Sequence, residues 1–225
     1  WLQQYLIRRI PPEEYSLYPV FVSILMFLLI AKAIFTGGIA RYLTAARARD
    51  DDEEITEIVS STFAVNVIVA FLVLLVGLPA ATIVDKILVI DEAYVSDARF
   101  MMGIMVLSFA ARLAFASFES GLIVEQKFVI INTIILSQIL LRLVLLLILL
   151  IGISPRVIWV AIATEISNVI SLFLYGVISR HIIPSLRFKF AYVKWQTMKK
   201  LIRFGVWTFF GQIANRIKTF ADPII

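Results

Sequence analysis

Cysteine is absent from the 225 residues, and histidine occurs once, at His181. The first absence excludes a disulfide scaffold and any cysteine-held zinc or iron–sulfur centre. The second leaves no histidine pair for a catalytic metal, and His181, alone at the end of an apolar run, reads as an interfacial side chain. Charge is also scarce: Asp, Glu, Lys and Arg make up 16% of the chain, against roughly 25% in an ordinary soluble domain. Nine glycines and seven prolines are too few for collagen or a low-complexity linker. There is no glycine-rich phosphate loop, no His–Glu metal motif and no nucleophile elbow. What is abundant is hydrocarbon. The chain is 61% hydrophobic, with a mean hydropathy of +0.95. A soluble fold of this length could not hide so much apolar surface.

A helix needs about 20 mostly apolar residues to cross the hydrocarbon of a bilayer. Six segments have that character: 15–40 (span A), 58–84 (B), 100–124 (C), 128–151 (D), 155–179 (E) and 201–219 (F), the last only begun. Lipid offers backbone groups no hydrogen bonds, so runs of this length predict helices, and short alternating segments that would signal a barrel are missing. The predicted fold class is an all-α integral membrane protein, a polytopic helical bundle forming one partial membrane domain over 1–225. Ser154-Pro155 predicts the start of span E, as a capping residue followed by proline at the first helical position. The acidic run 50–54 predicts the start of span B, with Asp51 and Glu54 at capping-box spacing; it reads as a solvated helix start rather than a metal site.

Basic residues orient the spans. Of the 21 Lys and Arg, eleven fall in the A–B, C–D and E–F connections, five on the opposite side and five (Lys32, Arg112, Arg142, Arg216, Lys218) inside spans. The side with eleven is predicted to be cytoplasmic. Residue 1, which is Trp, would then lie outside, and the chain reads as an internal piece preceded by one span. The longest connection, 180–200, interleaves Phe190, Tyr192 and Trp195 with Lys189, Lys194, Lys199 and Lys200. Aromatic bodies with basic heads suit a headgroup layer of anionic lipid, and membrane lipid is the expected partner there rather than nucleic acid.

Polar groups inside spans are costly and therefore informative. Ser108, Arg112, Phe115 and Glu119 share a face of span C. Thr164, Asn168, Ser171 and Tyr175 do so in span E, beside Glu165; Thr208, Gln212, Asn215 and Thr219 do so in span F, flanked by Arg216. Asn132, Gln138 and Arg142 gather on one part of span D, and span A offers Lys32. Four striped helices predict a shared polar interior. Arg142 and Glu165 each lie about 14–15 Å from the outer end of their span, so an ion pair between them is one expectation. Five bases against two acids in the spans predict a cationic, water-filled cleft that attracts anions, with Arg forks for phosphate or carboxylate and amides and hydroxyls for sugars. The candidate substrate-binding residues are Lys32, Arg112, Glu119, Asn132, Gln138, Arg142, Glu165, Asn168, Gln212 and Arg216, with no catalytic residue, metal or cofactor.

Arg9-Ile-Pro-Pro-Glu-Glu-Tyr-Ser-Leu-Tyr18 resembles the entry to the second helix of polysaccharide flippases, members of the multidrug/oligosaccharidyl-lipid/polysaccharide exporter superfamily. Gly37-Gly38 with Arg41-Tyr42, the run 45–60, Glu125-Gln126-Lys127-Phe128 with Asn132, Leu201-Ile202-Arg203-Phe204-Gly205 and Asp222-Pro223-Ile224-Ile225 resemble later landmarks in the same order. Ser16, where glycine is common, and the paired Pro11-Pro12 depart from the pattern. The resemblance implies helices two to seven of a two-lobe transporter, hence part of its N-terminal lobe, in the cytoplasmic (inner) membrane. It also implies non-enzymatic export of a lipid-linked anionic glycan, such as an undecaprenyl-pyrophosphate-linked oligosaccharide, by alternating access, with coupling to H+ or Na+ open. The competing expectations are a multidrug or cation antiporter of the same superfamily, which the basic excess disfavours, and a membrane-embedded glycosyltransferase or polymerase, for which the 85–99 loop is too short. A non-transporting scaffold would leave the intramembrane charges without a purpose.

Overall fold

The computed structural model describes residues 2–36 and 38–221, and all of its regular structure among these residues is helical. The order is α1 (Leu2–Arg9), α2 (Pro12–Tyr15), α3 (Leu17–Thr36), α4 (Ile39–Arg47), α5 (Asp52–Thr82), α6 (Val84–Ile87), α7 (Val95–Ala114), α8 (Ala116–Val124), α9 (Phe128–Gly152), α10 (Val157–Ile182) and α11 (Trp195–Ala221). Single 3-10 turns precede α7 and α11. Among the described residues, four stretches are long and apolar enough to cross a membrane: α5, α7 with its preceding turn, α9 and α10.

Several helix ends follow the sequence and others depart from it. At α5 the Glu54 N–H donates to Asp51 Oδ1 at 2.8 Å, so Asp51 caps the helix as its spacing predicts. The Glu54 carboxylate turns instead to Arg49. The expected start of span E moves: α10 begins at Val157, not Pro155. Its Val157 N–H donates at 2.7 Å to Oε1 of the buried Glu14, while Ser154 Oγ accepts from Trp159 Nε1 at 3.0 Å. A carboxylate from a distant segment thus supplies the cap that the local serine was expected to give. Span C is not one helix. It breaks at Phe115 (φ −91°, ψ 6°) into α7 and α8, which interrupts the register placing Ser108, Arg112, Phe115 and Glu119 on one face. Span F is longer than expected, because α11 already begins at Trp195 within the basic–aromatic connection.

The chain gathers into two compact units. The first comprises 1–25, 69–112 and 129–174, and the second 26–68, 113–128 and 175–225. The first contains the B–C and D–E connections; the second contains A–B, C–D and E–F. In the first unit Leu6, Phe21, Met101, Met105, Leu150 and Val157 belong to one buried cluster. Gly77 allows a close approach there: a methyl on it would lie 2.6 Å from Val106 Cγ1. In the second unit Ile39, Leu43, Val59, Phe118, Leu186 and Leu201 form the buried cluster, and a methyl on Gly205 would lie 1.7 Å from the Ile34 carbonyl oxygen. Lipid tails are as apolar as these side chains, so van der Waals packing and small residues, rather than expulsion from water, hold such contacts. The opposite faces are greasy and exposed. Phe71, Leu75 and Val76 on α5, and Leu136, Leu140 and Ile148 on α9, present more than half of their surface, as lipid-facing positions should.

Candidate functional site

In the second unit α3 carries Lys32 and α8 carries Glu119. Lys32 Nζ donates to Glu119 Oε2 at 3.5 Å, with the side chains 15% and 28% exposed. Sequence spacing sets Glu119 two turns from Arg112 on one face, too far to pair directly, and leaves Lys32 alone in span A; the pairing joins residues 87 apart on two helices, which no local periodicity reveals. Asn66 on α5 is fully buried, and neither its Oδ1 nor its Nδ2 makes a hydrogen bond among the described residues. The same holds for Ser117 Oγ. Burying an amide without a partner costs about 1–3 kcal/mol. Sequence reasoning passed over Asn66; its lone position in an otherwise apolar stretch of span B was the available signal.

In the first unit α9 and α10 bring Gln138, Asn168 and Glu165 into one chain of hydrogen bonds. Gln138 Nε2 donates to Asn168 Oδ1 at 2.6 Å, and Asn168 Nδ2 donates to Glu165 Oε2 at 2.9 Å. Glu165 is buried. The expected Arg142–Glu165 ion pair is not formed: Arg142 is exposed and Glu165 is held by an amide instead. Matching depth along two helices did not suffice: Gln138, one turn before Arg142 on α9, takes the contact with α10 through Asn168. Arg112 is half-buried, Asn132 is exposed near the start of α9, and neither arginine joins any of the ion pairs formed among the described residues. The side chains of Gln212 and Arg216 lie outside the described residues, as do those of Asn215, Lys218 and Thr219; 222–225 lie outside them altogether.

Around these helix interiors the connections are clamped by ionic contacts. In the second unit Arg47 Nε donates to Glu125 Oε1 at 2.7 Å, joining the A–B and C–D connections. That bond raises the Arg47 guanidinium further above its ordinary value. Both connections turn through left-handed residues, Asp50 and Gln126, each at φ 53°. The E–F connection lies along α5: Ser60 Oγ accepts from the Lys189 N–H at 2.9 Å and Ser61 Oγ from the Lys194 N–H at 3.1 Å. Lys194 Nζ donates to Glu57 Oε2 at 2.5 Å, which raises the Lys194 ammonium above its ordinary value. In the first unit Arg99 donates twice to Asp85 Oδ1, at 2.9 and 3.0 Å, and Arg156 pairs with Asp97 across the B–C and D–E connections.

All-helical architecture, apolar spans and charged side chains set inside them frame the comparison with known sequences. Residues 4–225 match the family described as polysaccharide biosynthesis protein. The chain belongs to this family. Within it, the chain is 20% identical over 213 residues to the uncharacterized membrane protein EpsK of Bacillus subtilis (strain 168), a match covering 95% of this chain and 42% of that protein. The chain therefore spans well under half the length of that relative. No solved structure matches. Family membership makes this a polysaccharide-biosynthesis membrane protein, in agreement with the resemblance drawn from its motifs.

Proposed function

We propose that this chain is part of a membrane transporter that moves a lipid-linked, negatively charged oligosaccharide precursor across the cytoplasmic membrane by alternating access, without itself catalysing a covalent step. The observation that carries the reading is the placement of Arg112 and Arg142 inside apolar helices with no carboxylate in ion-pair reach among the described residues. An intramembrane guanidinium is costly and points by default to a function. Its planar fork matches phosphate and carboxylate oxygens, and Asn168 and Gln138 supply amides of the kind that sugar hydroxyls need. Membership in a polysaccharide biosynthesis family supports the same cargo. The basic connections would face the cytoplasm. Glu165, buried and bonded only to an amide among the described residues, is the residue we assign to proton or sodium coupling. That same carboxylate is the feature that favours the second reading, a cation antiporter; the basic excess of the spans weighs against it.

The test uses the full-length protein in cells whose own copy is deleted. R112A/R142A, at normal membrane abundance, is expected to abolish surface polysaccharide and to build up the lipid-linked precursor. R112K/R142K retains the charge and should retain part of the activity. Wild-type export by R112A/R142A would refute the cationic-cleft mechanism, and export of a cationic drug in place of glycan would select the antiporter.

A further inference from the structure

We propose that α4 and the first half of α11 form a binding groove for one anionic phospholipid of the leaflet next to the basic connections. The second unit contains a recess of about 580 Å3 in which Lys199, Lys200 and Arg203 meet the rings of Tyr42, Phe204 and Trp207. No carboxylate lines it, and none of the three cations joins an ion pair formed among the described residues. The aromatic wall is fixed. Tyr42 and Phe204 meet edge to face with centroids 5.8 Å apart, Arg41 lies 4.8 Å over Phe204 and Lys200 lies 4.6 Å over Tyr42. Cation–π contacts hold these positive heads in place without neutralising them.

The groove changes character along its length. Lys199, Arg203 and Trp207 follow at four-residue spacing, one helical face with about 6 Å between successive positions. Arg203 and Trp207 also border a second recess of about 250 Å3, completed by Val206 and Phe210. It is apolar apart from Arg203. A cationic pocket at the loop end of α11 therefore continues into a hydrocarbon-lined one further along the helix, and the two share a wall. A free phosphate would use only the first. A phosphate headgroup with an attached acyl chain uses both, and basic residues beside an interfacial tryptophan are where such a headgroup is favoured. Gly205, about 200° around the helix from Arg203 and Trp207, is buried against Ile34, so the lipid-binding stripe is the face that α11 turns away from α3.

The site goes beyond the transport proposal and can fail separately from it. The full-length protein, with Trp207 kept and every other tryptophan changed to phenylalanine, is placed in bilayers of phosphatidylcholine. Brominated phosphatidylglycerol or brominated phosphatidylcholine is then titrated in, and quenching of Trp207 is recorded. Quenching by the anionic lipid is expected at roughly tenfold lower mole fraction. K199A/K200A/R203A should remove the difference with the helical circular dichroism unchanged, and R203Q, the milder variant, should reduce it. Equal quenching by both lipids, or a preference that survives in K199A/K200A/R203A, overturns the site. Displacement of brominated phosphatidylglycerol by a prenyl diphosphate, but not by excess dihexanoyl phosphatidylglycerol, overturns the assignment to a membrane phospholipid in favour of a carrier lipid. Wild-type glycan export by R112A/R142A with the lipid preference intact would count against the transport mechanism only.

Discussion

Gly205→Ala tests the tightest approach that an added methyl would meet at any of the described glycines. A methyl there would sit 1.7 Å from the carbonyl oxygen of Ile34. An ordinary C···O contact is roughly 3.3 Å, so α11 and α3 must part by about 1.6 Å or the helix must rotate. Neither partner is a flexible side-chain end; the obstacle is main chain. Overpacking at such a point costs about 1–3 kcal/mol. The opposing term is the helix-propensity gain of alanine over glycine, about 0.8–1.0 kcal/mol, so the substitution should be destabilising on balance. Gly103 is the internal control: it is helical, with nothing within 4 Å of an added methyl, so Gly103→Ala should be neutral or slightly stabilising. Gly77→Ala should fall between them, since its obstacle at 2.6 Å is the Val106 side chain. The assay is the midpoint of thermal aggregation of detergent-solubilised full-length protein, followed by size-exclusion chromatography. If Gly205→Ala melts with Gly103→Ala rather than well below it, the α3–α11 contact is not as close as described.

Three further outcomes are expected. Asn66→Leu removes a fully buried amide without a hydrogen bond among the described residues; it should raise stability by about 1–3 kcal/mol in the same melting assay, and a loss of stability would show that the amide is satisfied. K32E and E119K should each reduce export, and the double exchange K32E/E119K should recover part of it, because the 3.5 Å pair is restored in reverse; no recovery would mean that the two side chains act independently. Arg99 hydrogen bonds hold the Asp85 carboxyl below its ordinary 3.8. A carboxyl lowered in the folded state contributes stability above its unfolded value and loses it as pH falls through the folded one. Asp85→Asn should therefore flatten the part of the acid-melting curve that lies below about pH 4 and leave the neutral region with only the loss of the Arg99 contact.

Hydropathy made most of the fold legible. Length and apolarity alone placed α5, α9 and α10 to within a few residues at most ends, and the Asp51 cap followed from a three-residue spacing that is local by nature. The A–B, C–D and E–F connections share the second unit and the B–C and D–E connections the first. What failed was non-local. Glu14 capping α10 and Lys32 meeting Glu119 depend on which helices adjoin, and periodicity within one helix does not contain that information. Depth arithmetic set Arg142 level with Glu165, but depth does not choose among partners at one level, and Glu165 took Asn168 on its own helix instead. The break at Phe115 has neither proline nor glycine to announce it. Of the polar stripes, that of span E was the most informative, because Glu165 and Asn168 are three residues apart and each found a partner within reach.

The cap on α10 also bears on the order in which the chain can assemble. Glu14 precedes the amide it receives by 143 residues, so during synthesis the acceptor is inserted long before its donor emerges. Until then it lacks the hydrogen-bond donor it has in the folded protein, in which Leu6, Ile10 and Leu17 are buried as it is. The arrival of α10 supplies that donor and completes the helix start, so the segment around Glu14 reaches its final contacts only once α10 is in place.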